Sequence, residues 1–155
     1  MRNILLASAI LLVATLNLAC KCGWNGNFLR VASNEDLVVK AKILGHARVH
    51  SDLDEKMTIE ILTVFRGKEK RKKITVWGDD GKSCRPYVNI FKKGDIYYLG
   101  LHKEENEYEI SVCGEYWLQV KNGKIKMSKN EEDEKAPAEM TTKAFDEMLK
   151  TEMGN

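Results

Sequence analysis

The sequence predicts a mainly β domain that is closed by disulfide bonds and flanked by short helices. Three observations support this fold class: apolar and polar residues alternate in successive short segments, glycine-bearing turns separate the segments, and four cysteines follow an apolar leader. Alternation with a period of two places one face of each strand inside and the other outside. The pattern therefore favours an antiparallel barrel or sandwich.

The strands are expected to follow a short helix. Asn25–Asn34 has a helical pattern with polar ends, and the alternation begins after it. In Asp36–Val49, the alternate residues Leu37, Val39, Ala41 and Ile43 form one apolar face. Further strands are expected at Met57–Ile61, Lys73–Trp77, Asp95–Leu101, Tyr108–Val112, Trp117–Lys121 and Lys124–Met127. The Asn122-Gly123 pair is typical of a two-residue hairpin turn.

The end of the chain predicts a linker and a helix. Glu131–Glu134 is an acidic run, and Pro137 follows it. After this linker, the apolar residues Met140, Ala144, Met148 and Leu149 lie on one helical face. We expect residues 129–155 to form an acidic linker and a C-terminal helix packed on a domain of residues 20–128.

The beginning of the chain is typical of a secretory signal peptide. A short basic lead, Met1-Arg2-Asn3, precedes the uncharged run Ile4–Leu18, and the small residue Ala19 stands before Cys20. The run is short for a membrane-spanning helix, which needs about 20 apolar residues. We therefore expect residues 1–19 to be removed and the mature, secreted chain to begin at Cys20.

The charge of the mature chain is nearly balanced. The leader contains one of the 25 basic residues, and the chain has 23 acidic residues. A balanced chain has no overall attraction to nucleic acid or to a membrane surface. We expect neither as a partner, with a membrane contact only if Cys20 carries a lipid.

The four cysteines are expected to form two disulfides. An even number in an exported chain favours disulfides over metal thiolates or catalytic thiols. Because a direct Cys20–Cys22 bridge would close a very tight ring, each should bond to one of the distant pair, Cys84 and Cys113; the residues alone leave both pairings open. No thiol then remains as a nucleophile, and the sequence contains no recognisable catalytic triad or metal-ligand cluster. We expect a binding protein, not an enzyme, without a cofactor or metal of its own.

The start of the mature chain has the chemistry of a metal chelator. Cleavage after Ala19 would give Cys20 a free α-amine beside its own carbonyl oxygen, and these two atoms can close a five-membered ring on one metal ion. Disulfides at Cys20 and Cys22 would hold the terminus rigid, which removes the ordering cost of a flexible ligand. A catalytic zinc keeps one coordination position open. Such a terminus is therefore suited to bind the catalytic zinc of a protease and block its active site.

Cys20-Lys21-Cys22 at the mature start resembles the N-terminal domain of the tissue inhibitors of metalloproteinases, in the netrin-like family. Four further segments are similar to barrel strands and turns of that family, in the same order: Glu35–Gly45, Val64–Lys68, Gly94–Leu99 and Tyr108–Cys113. The resemblance covers most of the segment from Cys20 to Leu118 and includes all four cysteines.

This resemblance implies an OB-type, five-stranded antiparallel barrel with the disulfides Cys20–Cys84 and Cys22–Cys113. It also implies an inhibitory edge, made of Cys20, Lys21, Cys22, Lys82, Ser83 and Cys84. In that family the terminal amine and carbonyl bind the zinc of the protease, and the next side chain, here Lys21, enters the main specificity pocket. The expected function is inhibition of a zinc metalloprotease outside the cell, with zinc contacted only in the target.

A second fate is open to Cys20. A cysteine directly after Leu18-Ala19 also resembles a bacterial lipoprotein cleavage site, where the thiol is lipidated. Lipidation would leave three thiols, one of them unpaired, and so the even number of cysteines favours a free terminus. The alternative function is a lipid-anchored or secreted binding module without inhibitory activity, located in the cell envelope or attached to a matrix.

A basic cluster between two predicted strands offers a weaker binding site. Its residues are Arg66, Lys68, Lys70, Arg71, Lys72 and Lys73. Such a cluster can bind sulfated glycans or other polyanions. The favoured interpretation is a solvated hairpin loop.

Overall fold

The computed structural model describes residues 20–49, 55–81, 83–128 and 139–154. The predicted leader, Lys82 and the acidic linker with Pro137 lie outside these residues. None of the helices in the described ranges has the length and apolarity needed to cross a lipid bilayer.

The secondary structure is mainly β. In chain order, the elements of the described residues are α1 (Phe28–Ala32), β1 (Leu37–Ala47), β2 (Lys56–Arg66), β3 (Lys73–Trp77), a 3-10 turn (Val88–Ile90), β4 (Ile96–Glu104), β5 (Glu107–Glu109), β6 (Trp117–Gln119), β7 (Lys124–Lys126), β8 (Glu139–Thr141) and α2 (Thr142–Met153). The predicted short helix and successive strands are therefore present. The strand expected at Tyr108–Val112 is shorter than predicted, because the chain leaves the sheet after Glu109.

Five strands close into a barrel in the order β1-β2-β3-β5-β4, and β1 pairs with β4 to complete it. This confirms the predicted five-stranded OB-type barrel. The pairing of β3 with β5 is parallel, with Val76 opposite Tyr108, whereas the other pairings in the barrel are antiparallel. The barrel is therefore antiparallel as predicted except at this seam, where β3 and β5 run in the same direction and β4 comes between them in the chain.

Strand β1 separates two apolar cores. Its alternate residues Leu37, Val39, Ala41 and Ile43 are fully buried inside the barrel, as the alternation predicted. Val38 points the other way and is also fully buried, in a second core between the barrel and the two helices. Both faces of this strand are thus covered, which explains why its sequence is apolar at three successive positions.

The C-terminal helix packs on the barrel, and its buried face only partly matches the predicted one: Leu149 is buried as predicted, and Met148 is partly buried against the same core. Its buried residues are Phe145, Leu149 and Met153, spaced four apart, while Ala144 is exposed. Met140 belongs to β8, not to the helix. The helix begins only after Thr141, whose side chain caps it by accepting a hydrogen bond from the Ala144 amide.

Two polar contacts also tie α2 to the barrel. The Tyr98 hydroxyl donates to Asp146 Oδ1 at 2.5 Å, and Lys40 Nζ lies 2.9 Å from Asp146 Oδ2. Partial burial and this bond raise the pKa of Tyr98 well above its ordinary value. Asp146 thus contacts two neighbouring strands, β1 and β4, from a single helix.

Candidate functional site

Two disulfides join the start of the described chain to two separate segments. Cys20 is bonded to Cys84 and Cys22 to Cys113, with Cα–Cα distances of 5.2 Å and 5.6 Å. This is the pairing that the family resemblance implies. We call the three joined segments, residues 20–24, 83–85 and 112–113, the cysteine ridge.

Backbone hydrogen bonds reinforce the cysteine ridge beside each disulfide. The Asn25 amide donates to the Cys113 carbonyl at 2.7 Å, and the Val112 amide donates to the Cys84 carbonyl at 3.1 Å. The three segments are therefore held together by backbone contacts as well as by sulfur–sulfur bonds. A terminus held in this way has little conformational freedom to lose when it binds a partner.

The leading residues of the ridge are open to solvent. Cys20, Lys21, Cys22 and Gly23 are all exposed, although both cysteines are bonded. Trp24, which follows them, is 62% exposed. A rigid, exposed segment of this kind can enter a cleft on another protein.

Two large apolar side chains stand out on the ridge. Trp24 on one segment and Val112, 42% exposed, on another are among the exposed large hydrophobic residues. Tryptophan is enriched among the residues that dominate binding energy at protein interfaces. Sequence reasoning missed both residues, although the Gly23-Trp24 pair directly after the cysteines was a signal of exposure in a loop.

A sharp turn connects the ridge to the second core. Gly26 has a φ of 122°, and a Cβ added there would lie 2.6 Å from Arg30 Cδ. Such a conformation favours glycine. Asn27 then caps α1 by accepting a hydrogen bond from the Arg30 amide, and Phe28 enters the core that α2 covers. The ridge is thus anchored to the packed interior within a few residues.

Arg85 organises the segment that carries Ser83 and Cys84. Its guanidinium lies 3.3 Å from the Asp80 carboxylate and 3.1 Å from that of Glu109, and it donates to Ser83 Oγ at 2.9 Å. The Arg85 side chain is only 12% exposed. Sequence reasoning missed this residue; its position between Cys84 and Pro86 was the available signal.

The structure therefore brings together five of the six residues expected at the inhibitory edge. Cys20, Lys21 and Cys22 lie beside Ser83 and Cys84 through the first disulfide. Lys82, the sixth, lies outside the described residues.

An acid-lined cleft of about 420 Å³ adjoins the ridge through Arg85. The rings of Trp77 and Tyr108 line it, together with the carboxylates of Glu55, Asp80, Glu104, Glu105, Glu107 and Glu109. Hydrogen bonds from Trp77 Nε1 and then Lys56 lower the pKa of Glu107, so this group stays ionised near neutrality. The concentration of negative charge disfavours phosphate groups here.

The predicted basic cluster lies at the end of β2, in the loop to β3 and at the start of β3. Its two arginines form hydrogen bonds within the chain. Arg66 Nε donates to the Glu35 carbonyl at 2.7 Å, and Arg71 makes a two-point contact with Glu69 at 2.7 Å and 3.0 Å. These hydrogen bonds from Arg71 lower the pKa of Glu69 to about 2. The remaining members, Lys68, Lys70, Lys72 and Lys73, are exposed and form the basic loop.

Comparison with known proteins adds no relative. No protein-family model matches the chain, and a search of curated proteins found no significant match.

Proposed function

We propose that the chain, once cleaved before Cys20, inhibits zinc metalloproteases by inserting the cysteine ridge into their active-site cleft. The observation that carries the proposal is that Cys20, Lys21 and Cys22 are exposed while disulfides clamp both cysteines to two different segments. This combination of exposure and rigidity suits a segment that must enter a cleft and bind a metal there.

The chelating group would be the amine and carbonyl oxygen of Cys20. A catalytic zinc has three protein ligands and an open position for water or substrate, which these two atoms can occupy. The amine must be unprotonated to bind, and an α-amine with a pKa of about 8 meets this condition in a useful fraction of molecules near neutrality. Inhibition should therefore strengthen as the pH rises from 6 towards 8.

Lys21 would then enter the pocket beside the zinc. It is exposed and lies between the two clamped cysteines. A long cation suits an apolar pocket only where its ammonium group reaches water or meets an acid. The proposed targets are therefore proteases whose pocket has a carboxylate or an opening to solvent at its far end.

A protein partner is also supported by the surfaces around the ridge. Trp24 and Val112 offer apolar contact area next to the proposed zinc ligand. The acid-lined cleft includes residues of the β4–β5 loop, Glu105 among them, and in OB folds that loop helps to bind oligonucleotides. Its charge in this chain would repel them, which favours a protein over a nucleic acid.

The test is an inhibition assay with the mature chain against a panel of zinc endopeptidases. A variant with one alanine added before Cys20, and a second sample with the amine acetylated, should lose inhibition by about 30- to 1,000-fold, since loss of a dominant contact costs about 2–4 kcal/mol. A chain with one alanine added after Asn155 is the matched control. Equal inhibition by the N-terminally extended chain, with an unchanged circular dichroism spectrum, would refute zinc chelation.

Trp24→Ala tests the contact surface separately from the zinc ligand. If Trp24 is buried against the protease, we expect inhibition to weaken by about 10–100-fold. Leu62→Ala is the matched control, because Leu62 is also apolar and 46% exposed but lies in β2. Equal effects of the two substitutions would exclude a specific contact by Trp24.

A second candidate function is a binding module without inhibitory activity, and the basic loop favours it. Its four exposed lysines lie within six residues of the chain, Lys68 to Lys73. Replacing all four by glutamine should abolish retention on a sulfated glycan column at low salt, whereas replacing Lys92, Lys93, Lys126 and Lys150, which are also exposed, should not. Equal loss in both variants would indicate an effect of net charge alone.

The anchoring of the chain is tested by intact-mass analysis of the mature protein from its native host. A chain beginning at Cys20 with two disulfides supports the inhibitor, and a diacylglyceryl addition supports a lipid-anchored module. A blocked or lipidated Cys20 amine would be incompatible with the proposed zinc contact.

A further inference from the structure

The four sulfur atoms of the cysteine ridge form one cluster. All four Sγ atoms lie within 4.8 Å of one another, and Cys20 Sγ is 3.9 Å from Cys22 Sγ although these two are not bonded to each other. The two disulfides are therefore in contact.

This arrangement is close to that of a tetrathiolate metal site. Zinc bound by four cysteines has Zn–S distances of about 2.3 Å in a tetrahedron, which separates neighbouring sulfurs by about 3.8 Å. The unbonded pair Cys20 and Cys22 is already at this separation. Within each disulfide, the two sulfurs need only move apart once their bond is broken.

The segments that carry the sulfurs have other contacts to hold them together after reduction. The hydrogen bonds from Asn25 to Cys113 and from Val112 to Cys84 join backbone atoms and do not depend on sulfur. Cys20 and Cys22 are exposed, so that a metal ion can reach the cluster from solvent.

We infer that the four sulfurs form a single site with two states: a pair of disulfides when oxidised, and a tetrathiolate site for zinc or a similar divalent metal when reduced. In the reduction, each disulfide takes up two electrons and two protons from a dithiol, which becomes a cyclic disulfide. The metal ion then replaces the four thiol protons, leaving four Zn–S bonds and a net charge of −2. This inference uses only side-chain sulfur and is independent of the Cys20 amine.

The test is titration of the reduced mature chain with Co²⁺, without oxygen and after removal of the reductant. We expect saturation at one equivalent, with the visible bands of tetrahedral cobalt thiolate, and displacement of the cobalt by Zn²⁺. One equivalent of Zn²⁺ should also protect all four thiols from alkylation, as measured by mass. The oxidised chain should give neither result. Absence of the bands, or alkylation of all four thiols in the presence of Zn²⁺, would overturn the inference.

Two double variants test the composition of the site. Cys20→Ser with Cys84→Ser, and Cys22→Ser with Cys113→Ser, each keep two thiols, and each should bind cobalt about 100-fold or more weakly. Unchanged affinity in either variant would overturn the four-sulfur site. The chain with alanine before Cys20 should bind cobalt like the unextended chain, which separates this inference from protease inhibition.

Discussion

Phe145 connects the C-terminal helix to the second core, and its removal should strongly destabilise the protein. Its side chain is fully buried, and its ring centroid lies 4.8 Å from that of Tyr98 and 5.8 Å from that of Phe28. Replacing a buried phenylalanine with alanine costs about 3–5 kcal/mol, from lost transfer energy and the cavity that remains. We expect Phe145→Ala to lower the free energy of unfolding by this amount and Tm by about 10–20 °C.

Met148→Ala is the matched comparison, because the predicted packing face included Met148 and did not include Phe145. Met148 is only partly buried in the structure, so the expected loss is about 1 kcal/mol. Both variants should be unfolded in urea with the disulfides intact, and the free energies extrapolated to water. A larger loss for Met148→Ala than for Phe145→Ala, or a loss below about 1 kcal/mol for Phe145→Ala, would refute the observed helix orientation.

Three further outcomes are expected. Tyr98→Phe removes the hydrogen bond to α2 and should reduce the free energy of unfolding by about 1–2 kcal/mol in the same urea assay. Because the pKa of Glu69 is about 2 in the folded chain against an ordinary 4.5, its contact with Arg71 stabilises the fold above pH 4.5 and is lost as the pH falls towards 2. Glu69→Gln should therefore reduce the fall in the free energy of unfolding between pH 4.5 and pH 2 by about 1–2 kcal/mol; an unchanged pH profile would contradict the contact. Replacing Cys22 and Cys113 together by serine frees a loop spanning 91 residues and should cost about 4 kcal/mol, measured by thermal unfolding of the oxidised chain; a cost below about 1 kcal/mol would contradict the clamp.

Local patterns were sufficient to predict the long strands. In β1, Leu37 and Ile43 belong to an alternation that covers the first part of the element, and burial of one face requires only that the period match the pleat. The helix at the chain end was predicted for the same reason. Its packing face was predicted at Leu149 but not at Phe145, because Phe145 and Met148 are both apolar and only the position of the barrel surface selects between them.

Contacts between distant segments decided the candidate site. The residues alone left two disulfide pairings open for Cys20 and Cys22, and only the family resemblance selected the observed pairing. Trp24 and Arg85 had only weak local signals, their positions next to cysteines. Arg85 is recognisable as an organising residue only once Glu109, far away in sequence, lies beside it.

The amino-acid sequence by itself determined the mainly β character of this protein, the approximate positions of its long strands and the presence of a cysteine-rich start to the expected mature chain. These properties depend on side-chain type and spacing over a few residues. Only the tertiary structure decided the parallel seam between β3 and β5, the buried face of α2 and the convergence of four sulfurs on one exposed ridge. Those features depend on which segments, tens of residues apart in the chain, pack against each other. That packing is decided by contacts across the whole fold and not by local spacing.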